Sequence, residues 1–297
     1  MSKILITGAT GRLGVKVVEM LSRSVDTEIY LLGRDKHRME GCFSNIDFPI
    51  FFDLDDLVKK RVPFSEIDVL LHCAFARTQD GEAIARSLEF SRSVFENACG
   101  LGVKSIVNVS SQSVYGVFRE NPSKENDAVS PSDAYAVAKY ADELLLGSIA
   151  SAAGIKFTNI RVASLIGEGM DERVVTKLIR QAVEANPLII EGGEQVYSFM
   201  NIEDAADGLV KLLKSSPELW EDVYNLGVSE DYTLNNIAGR VIKLVYSVLG
   251  YAGEVHLIPK AVRYKAVLDV SRFNKEFSWQ AKISLDESIC RIIKCSI

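Results

Sequence analysis

The residues of this chain best suited to proton transfer are a tyrosine, a lysine and a serine. Tyr135 and Lys139 are four positions apart, and Ser111 ends a strand-like run upstream of them. Side chains four residues apart on a helix share one face, so the phenol and the ammonium can enter the same cleft. A phenol has a pKa of about 10, and a nearby ammonium lowers it, which yields a group that exchanges a proton with a hydroxyl. We predict that Tyr135 and Lys139 are catalytic and that Ser111 holds the reacting oxygen.

A glycine-rich segment near the start of the chain has the features of a phosphate-binding loop. It runs from Gly8 to Gly14, after a strand-like segment and before a helical pattern. Glycines permit the tight turn and let backbone N–H groups approach a pyrophosphate, and a helix N-terminus adds a favourable partial charge. A dinucleotide-binding motif needs this order of strand, loop and helix. We therefore predict a bound dinucleotide that contacts Gly8, Thr10, Gly11, Arg12, Leu13 and Gly14.

The end of the second predicted strand indicates which dinucleotide binds. NAD usually requires a carboxylate there, because the carboxylate accepts hydrogen bonds from both ribose hydroxyls. The strand Glu28–Leu32 is followed instead by Gly33 and Arg34, and a guanidinium suits a 2′-phosphate. We predict NADP as the cofactor on this basis. NAD is the alternative, because a one-residue shift of the turn would bring the Asp35 carboxylate to the ribose.

The elements that must position these residues follow an alternating pattern. Short apolar runs such as Ile4–Ile6 and Val69–Leu71 alternate with helical patterns, and continuous apolar runs are typical of parallel strands buried on both faces. The pattern predicts an α/β fold in which residues 1–167 form a Rossmann-type domain with a doubly wound parallel sheet. Residues 168–297 are predicted to form a smaller, mixed α/β domain that binds the substrate, with some segments returning to the first domain.

Composition excludes several other classes of protein. The net charge is −6 and basic residues do not cluster, so no nucleic-acid partner is expected. Apolar runs are too short to cross a bilayer, and the first residues enter a strand rather than an export leader. The five cysteines are scattered, with no close pair, as in a reduced protein. We expect a cytoplasmic protein without a membrane segment, and a site without a metal.

Taken together, these motifs resemble the extended short-chain dehydrogenase/reductase family, which comprises nucleotide-sugar epimerases, dehydratases and ketoreductases. The similarity covers nearly the whole chain. Besides the glycine loop, Ser111, Tyr135 and Lys139, it rests on the segments Asp53-Leu54, His72-Cys73-Ala74, Val114-Tyr115-Gly116, Arg161, Tyr224-Asn225-Leu226-Gly227 and Asp269-Val270-Ser271-Arg272.

The resemblance implies roles for further residues. Asp53 and Leu54 would contact the adenine, Ala74 would line the path from the pyrophosphate to the nicotinamide, and Lys139 would also hold the nicotinamide ribose. The substrate would be a small molecule, most simply a nucleotide sugar. Members of this family commonly pair two long helices across a two-fold axis, which implies a homodimer formed through residues 83–101 and 134–151.

The reaction itself is less constrained. Dehydratases of this family carry an Asp-Glu pair after the active-site hydroxyl, because the removal of water needs an additional acid and base, whereas this chain has Gln112 and Ser113. We rank first an NADP(H)-dependent reductase of a nucleotide-activated keto-sugar. The alternative is an NAD-dependent nucleotide-sugar epimerase, which needs the same residues. A third hypothesis is a sensor that binds the cofactor without catalysis.

Overall fold

The computed structural model describes residues 1–47, 49–170, 173–262 and 264–296. In the first half of the chain, strands alternate with helices in the order that the apolar pattern predicts. The elements are β1 (Ser2–Thr7), α1 (Arg12–Leu21), β2 (Thr27–Leu32), α2 (Lys36–Cys42), β3 (Ile50–Phe52), α3 (Leu54–Val58), β4 (Val69–His72), α4 (Gly81–Gly100), β5 (Ser105–Ser111), α5 (Ala134–Ala153) and β6 (Lys156–Val162).

The second half mixes longer helices with short strands. Its elements are β7 (Ser164–Ile166), α6 (Val174–Val183), β8 (Leu188–Glu191), β9 (Val196–Tyr197), β10 (Phe199–Asn201), α7 (Ile202–Leu213), β11 (Val223–Leu226), β12 (Tyr232–Thr233), α8 (Leu234–Leu249), β13 (Val255–Ile258), β14 (Lys265–Ala266), α9 (Ser271–Phe277) and α10 (Leu285–Cys295).

The central sheet has seven strands in the order β11–β6–β5–β4–β1–β2–β3. β1 pairs with β2 and β4, β2 pairs with β3, and β4 pairs with β5, and these four pairings are all parallel. Strands are added on both sides of β1, which is the doubly wound arrangement. The prediction of a Rossmann-type α/β fold is confirmed.

The register of the sheet brings the loops that carry the site to one edge. Thr7, the last residue of β1, lies opposite both Leu32 and His72, the last residues of β2 and β4. Leu32 in turn lies opposite Phe52, which ends β3. Parallel strands all point the same way, so the segments that follow them emerge together at the carboxyl edge, where this fold binds its ligands.

Burial of apolar side chains holds the two longest helices against this sheet. Leu5, Leu70 and Ile106 from the strands share one core with Phe95 of α4 and Leu146 of α5. Each of these side chains is fully buried, and burial of a leucine or phenylalanine contributes about 1.5–3 kcal/mol. This packing fixes α4 and α5 on one face of the sheet and thereby fixes the position of the residues at their N-terminal ends.

The chain folds as two compact units, each assembled from three segments. The first consists of Met1–Val114, Val129–Arg161 and Ala206–Tyr224, and the second of Tyr115–Ala128, Val162–Ala205 and Asn225–Ile297. The second unit has its own core, in which α6, α8 and α10 bury Ile179, Val241 and Ile289. That residues 168–297 bind the substrate stays a prediction. Within the described ranges, no helix is both long enough and apolar enough to span a bilayer.

Candidate active site

The glycine loop forms a close turn between β1 and α1. Gly8 has a φ of +67°, which a residue with a side chain rarely adopts, and a Cβ there would lie 2.7 Å from the backbone nitrogen of Ala74. A Cβ on Gly14 would lie 2.3 Å from the carbonyl oxygen of Gly8. Both positions therefore require glycine. The turn brings the predicted residues Gly8, Gly14 and Ala74 together.

The loop also leaves backbone donors for an anion. Gly11 is the N-cap of α1 and supplies no side-chain hydrogen bond to the first turn, so the first N–H groups of the helix keep their donors. Gly11 and Arg12 are exposed, while Thr10 and Leu13 are half-buried. Such a cradle, with donors and the positive end of a helix dipole, fits the pyrophosphate of a dinucleotide.

The turn after β2 has no carboxylate at the strand end itself, and the next one along the chain caps a helix. A Cβ on Gly33 would lie 2.8 Å from the Sδ atom of Met39, so a longer side chain there would have to displace that methionine. The Asp35 carboxylate accepts the N–H of Arg38 at 3.0 Å and caps α2. Arg34 is exposed. A shift of this turn by one residue would break the bond from Arg38 to Asp35 and with it the cap of α2.

Asp53 and Leu54 lie where β3 ends and α3 begins. The Asp53 carboxylate accepts the N–H of Asp56 at 3.0 Å, and the Asp56 carboxylate accepts the N–H of Asp53 at 3.2 Å. This capping box fixes the start of a helix of five residues. Leu54, the first residue of that helix, is 38% exposed. An exposed leucine at the carboxyl edge of the sheet is suited to contact with an adenine ring, as the resemblance implies.

Ser111 ends β5 and has a second hydroxyl beside it. Its Oγ lies 2.9 Å from the Oγ of Ser113 and accepts the N–H of Ser113 at 3.2 Å. These two bonds orient the Ser111 hydroxyl in a short 3₁₀ turn, Gln112–Tyr115. From the sequence, Ser113 was noted only as the residue that replaces an acidic one. The structure adds that it positions the predicted catalytic serine.

Tyr135 lies in the first turn of α5, which packs against β5. Asp133 caps this helix by accepting the N–H of Ala136 at 2.8 Å, and the backbone N–H of Tyr135 binds the Gln79 side chain at 3.3 Å. The tyrosine ring meets Phe75 edge to face, with 6.3 Å between the ring centroids. Phe75 follows β4 in the chain and was not among the residues we predicted.

Lys139 is one turn further along α5 and is 1% exposed. Its ammonium lies 4.2 Å from the centroid of the Phe75 ring and donates to the Asp142 carboxylate at 2.8 Å. Phe75 thus contacts both Tyr135 and Lys139. Asp142 was not among the residues we predicted, although its spacing of three residues from Lys139 on a helix is a signal for an ion pair.

A second buried ion pair supports the same region from behind. The Glu143 carboxylate accepts from two nitrogens of Arg161, at 3.0 Å and 2.7 Å, and it also accepts the hydroxyl of Ser110. Glu143 and Arg161 are 5% and 4% exposed. This network joins α5, β5 and β6, and it fixes the backbone next to Ser111. Among the described residues, no group of histidine, cysteine or acidic side chains is arranged to hold a metal ion.

Two comparisons with known protein sequences agree with this geometry. The family model described as the NAD dependent epimerase/dehydratase family matches residues 4–227. UDP-glucuronic acid decarboxylase 1 of Arabidopsis thaliana is 24% identical over 315 residues, which cover 98% of this chain and 69% of that protein. An uncharacterized UDP-glucose epimerase of Bacillus subtilis is 25% identical over 287 residues, which cover 87% of this chain and 85% of that protein.

Solved structures share the whole fold. The UDP-glucuronic acid 4-epimerase of Bacillus cereus, in complex with UDP-glucuronic acid and NAD, has a TM-score of 0.82 at 21% identity and covers 99% of this chain and 98% of its own. The UDP-glucose 4-epimerase of Thermotoga maritima, with UDP-glucose, has a TM-score of 0.79 at 22% identity and covers 98% and 97%. With the glycine loop, Ser111, Tyr135 and Lys139 all present, this chain belongs to the NAD dependent epimerase/dehydratase family.

Proposed function

We propose that this protein is a nucleotide-sugar epimerase that inverts a hydroxyl-bearing carbon of the sugar with a bound nicotinamide dinucleotide. The observation that carries the proposal is the composition of the segment beside the catalytic serine. Ser111 is followed by Gln112 and Ser113, which cannot serve as a second acid or base at neutral pH. Tyr135 is then the proton-exchanging group, and epimerisation by oxidation and reduction at one carbon needs no other.

Dehydration and decarboxylation need more acid or base groups than these residues supply. Loss of water needs an additional acid and base, and loss of carbon dioxide leaves a carbanion that must be protonated on carbon. Both require a further proton donor, and neither Gln112 nor Ser113 ionises at neutral pH to supply one. The proteins reported above are epimerases and a decarboxylase, which favours the epimerase alternative over the keto-sugar reductase that we ranked first. The complete set of Ser111, Tyr135 and Lys139 argues against a sensor without catalysis.

The roles of the residues follow from their chemistry. The glycine loop binds the pyrophosphate through backbone N–H groups, and Lys139 binds the nicotinamide ribose. The Ser111 hydroxyl donates to the sugar oxygen, while the Tyr135 phenolate accepts the proton of the sugar hydroxyl as that carbon becomes a ketone. The dinucleotide, when bound, supplies the hydride acceptor. Tyr135 returns its proton to the same oxygen when the ketone is reduced on its other face.

A screen of nucleotide sugars tests this proposal. UDP-glucose and UDP-glucuronic acid are incubated with the enzyme, with NADP or NAD added only in catalytic amount, and the products are identified by proton NMR. We expect an equilibrium mixture of two epimers with no net change in nicotinamide absorbance. In a parallel incubation with a keto-sugar nucleotide and an excess of NADPH or NADH, stoichiometric consumption of the cofactor would instead establish the reductase.

For the cofactor we propose a preference for NADP(H), which rests on the turn after β2. The reported Bacillus cereus neighbour holds NAD, so the preference is proposed as a property of this chain. Asp35 is engaged as a helix cap, Gly33 has no side chain, and Arg34 is exposed and unhindered by a carboxylate at the strand end. Lys36 and Arg38, also exposed, add positive charge that a 2′-phosphate would meet.

Substitution of Arg34 tests the preference. A hydrogen bond to a charged group contributes about 1.5–3 kcal/mol, so Arg34→Ala should shrink the preference for NADPH over NADH about ten- to a hundredfold. The dissociation constants are measured by nicotinamide fluorescence. Arg23→Ala, which removes an exposed arginine after α1, is the matched control and should leave the ratio unchanged. Equal affinity of the wild-type protein for NADH and NADPH would show that NADP is the wrong choice.

We also propose a homodimer through the outer faces of α4 and α5. α5 exposes Val137 and Leu144, at 53% and 56%, and apolar residues at such spacing on one helix form a stripe that a partner helix can cover. Light scattering at micromolar concentration should give twice the chain mass. Val137→Lys combined with Leu144→Lys should give the monomer, and a wild-type monomer would contradict the proposal.

A further inference from the structure

The catalytic lysine has its own buried counter-ion. Lys139 and Asp142 are 1% and 0% exposed, and the ammonium donates to the carboxylate at 2.8 Å. The Phe75 ring covers the ammonium from the other side, with 4.2 Å from Nζ to the ring centroid. A buried ammonium is costly unless a carboxylate compensates its charge. Asp142 is placed to supply that compensation.

The other titratable groups around this pair are neutral. His72 of β4 binds Thr7 and Ser91 through its two ring nitrogens, at 2.8 Å and 2.9 Å, and burial lowers its pKa to about 4. Burial raises the pKa of the adjacent Cys73 thiol to about 12. At neutral pH neither His72 nor Cys73 carries a charge, so neither compensates the Lys139 ammonium.

The carboxylate itself stays ionised. Burial acts to raise the pKa of Asp142, but the opposite charge of Lys139 and the hydrogen bond that its ammonium donates hold it below the ordinary value. The pair is therefore an ammonium and a carboxylate. The pair lies on the same helix as Tyr135, and the Tyr135 ring also contacts Phe75. A change in the charge or position of the Lys139 ammonium therefore acts on the phenol as it exchanges its proton.

We propose that Asp142 is a positioning residue that holds the Lys139 ammonium in place for the cofactor ribose and for Tyr135. Without the carboxylate, the charge on this buried side chain is uncompensated, and a side chain without its charge neither tunes the phenol nor attracts the dinucleotide. The inference rests on the role of Lys139 in the proposed function, and it is independent of which sugar is converted.

Cofactor binding as a function of pH tests this inference without turnover. The dissociation constants of NADPH and NADH are measured by fluorescence from about pH 6 to about pH 10, because the charge of an amine depends on pH. For Asp142→Asn, the loss of affinity at high pH should begin at least about one pH unit lower than in the wild type. Asp142→Glu, which keeps the charge, should restore most of the wild-type profile.

The matched control is Glu143→Gln, which breaks the neighbouring buried ion pair on the same helix. It should lower the melting temperature but leave the pH profile of binding where it is in the wild type. A profile of Asp142→Asn that superimposes on the wild type would overturn the inference. A shift of the same size in Glu143→Gln would also overturn it, because the effect would then be general destabilisation.

Thermal unfolding tests the coupling of Lys139 and Asp142 without any cofactor. It gives a result even if a single variant folds poorly or the wild type binds neither dinucleotide. Lys139→Met leaves the Asp142 carboxylate buried and uncompensated, so it should lower the melting temperature. Adding Asp142→Asn to Lys139→Met should raise the melting temperature again. If the double variant melts no higher than Lys139→Met alone, the two residues are not coupled and the inference fails.

Discussion

Replacement of Tyr135 by phenylalanine should nearly abolish turnover and leave cofactor affinity almost unchanged. The substitution removes one hydroxyl, which is the proposed proton acceptor and donor, and keeps the ring that meets Phe75 edge to face. General acid–base catalysis contributes about 10²–10⁴ to the rate of a reaction. Turnover should therefore fall by at least about a hundredfold, as measured by NMR with the nucleotide sugar that the screen identifies.

The same helix offers a matched control for this experiment. Tyr140 is a second half-buried tyrosine of α5, and Tyr140→Phe removes the same hydroxyl outside the proposed catalytic set. This variant should keep the wild-type turnover. Retention of more than about a tenth of the wild-type rate by Tyr135→Phe would contradict the acid–base role, because removal of the proton-exchanging hydroxyl should cost more of the rate than that.

Loss of the Arg161 guanidinium should destabilise the fold more than any of the surface changes above. Arg161→Met leaves the Glu143 carboxylate buried without the two charged bonds it now accepts. Removal of one partner of a buried ion pair costs about 3–5 kcal/mol, because the other charge is left uncompensated. We expect a loss of this size in the free energy of unfolding, measured by urea denaturation.

The double variant Arg161→Met, Glu143→Leu separates the buried charge from the loss of packing. It removes both charges and keeps similar side-chain volumes, and such replacements are often neutral. Its stability should recover most of what the single variant loses. If both variants are equally unstable, packing rather than the uncompensated carboxylate accounts for the loss.

The sequence predicted the long, regular elements well, because each of them is encoded locally. β1, β4 and β5 each contain a continuous apolar run, and α4 and α5 begin and end within two residues of the predicted helices. The two-residue strands β9, β12 and β14 could not be found in this way. Val196 in β9 pairs with both Thr233 and Lys265, so that strand is defined by partners far along the chain and not by its own pattern.

The residues of the candidate site also divide into those that belong to a local motif and those that do not. The glycine loop and the spacing of Tyr135 and Lys139 are local motifs, and they indicated the site without a structure. Phe75 and Ser113 could not be assigned roles from the sequence, since each acts through a contact that only the folded chain creates. The order of the reaction hypotheses was also beyond the motif, because a reductase and an epimerase use the same three residues.

In the proposed reaction, a hydride leaves a sugar carbon and returns to that same carbon. Retention of an isotope at that carbon tests this most directly. UDP-glucose carrying deuterium at C4 is incubated with the enzyme and a catalytic amount of NADP or NAD in ordinary water, and the product is examined by NMR and mass spectrometry. We predict that the deuterium stays at C4 in the epimer, with no net consumption of cofactor. Accumulation of a 4-keto product, or the appearance of the epimer with hydrogen at C4, would contradict the account.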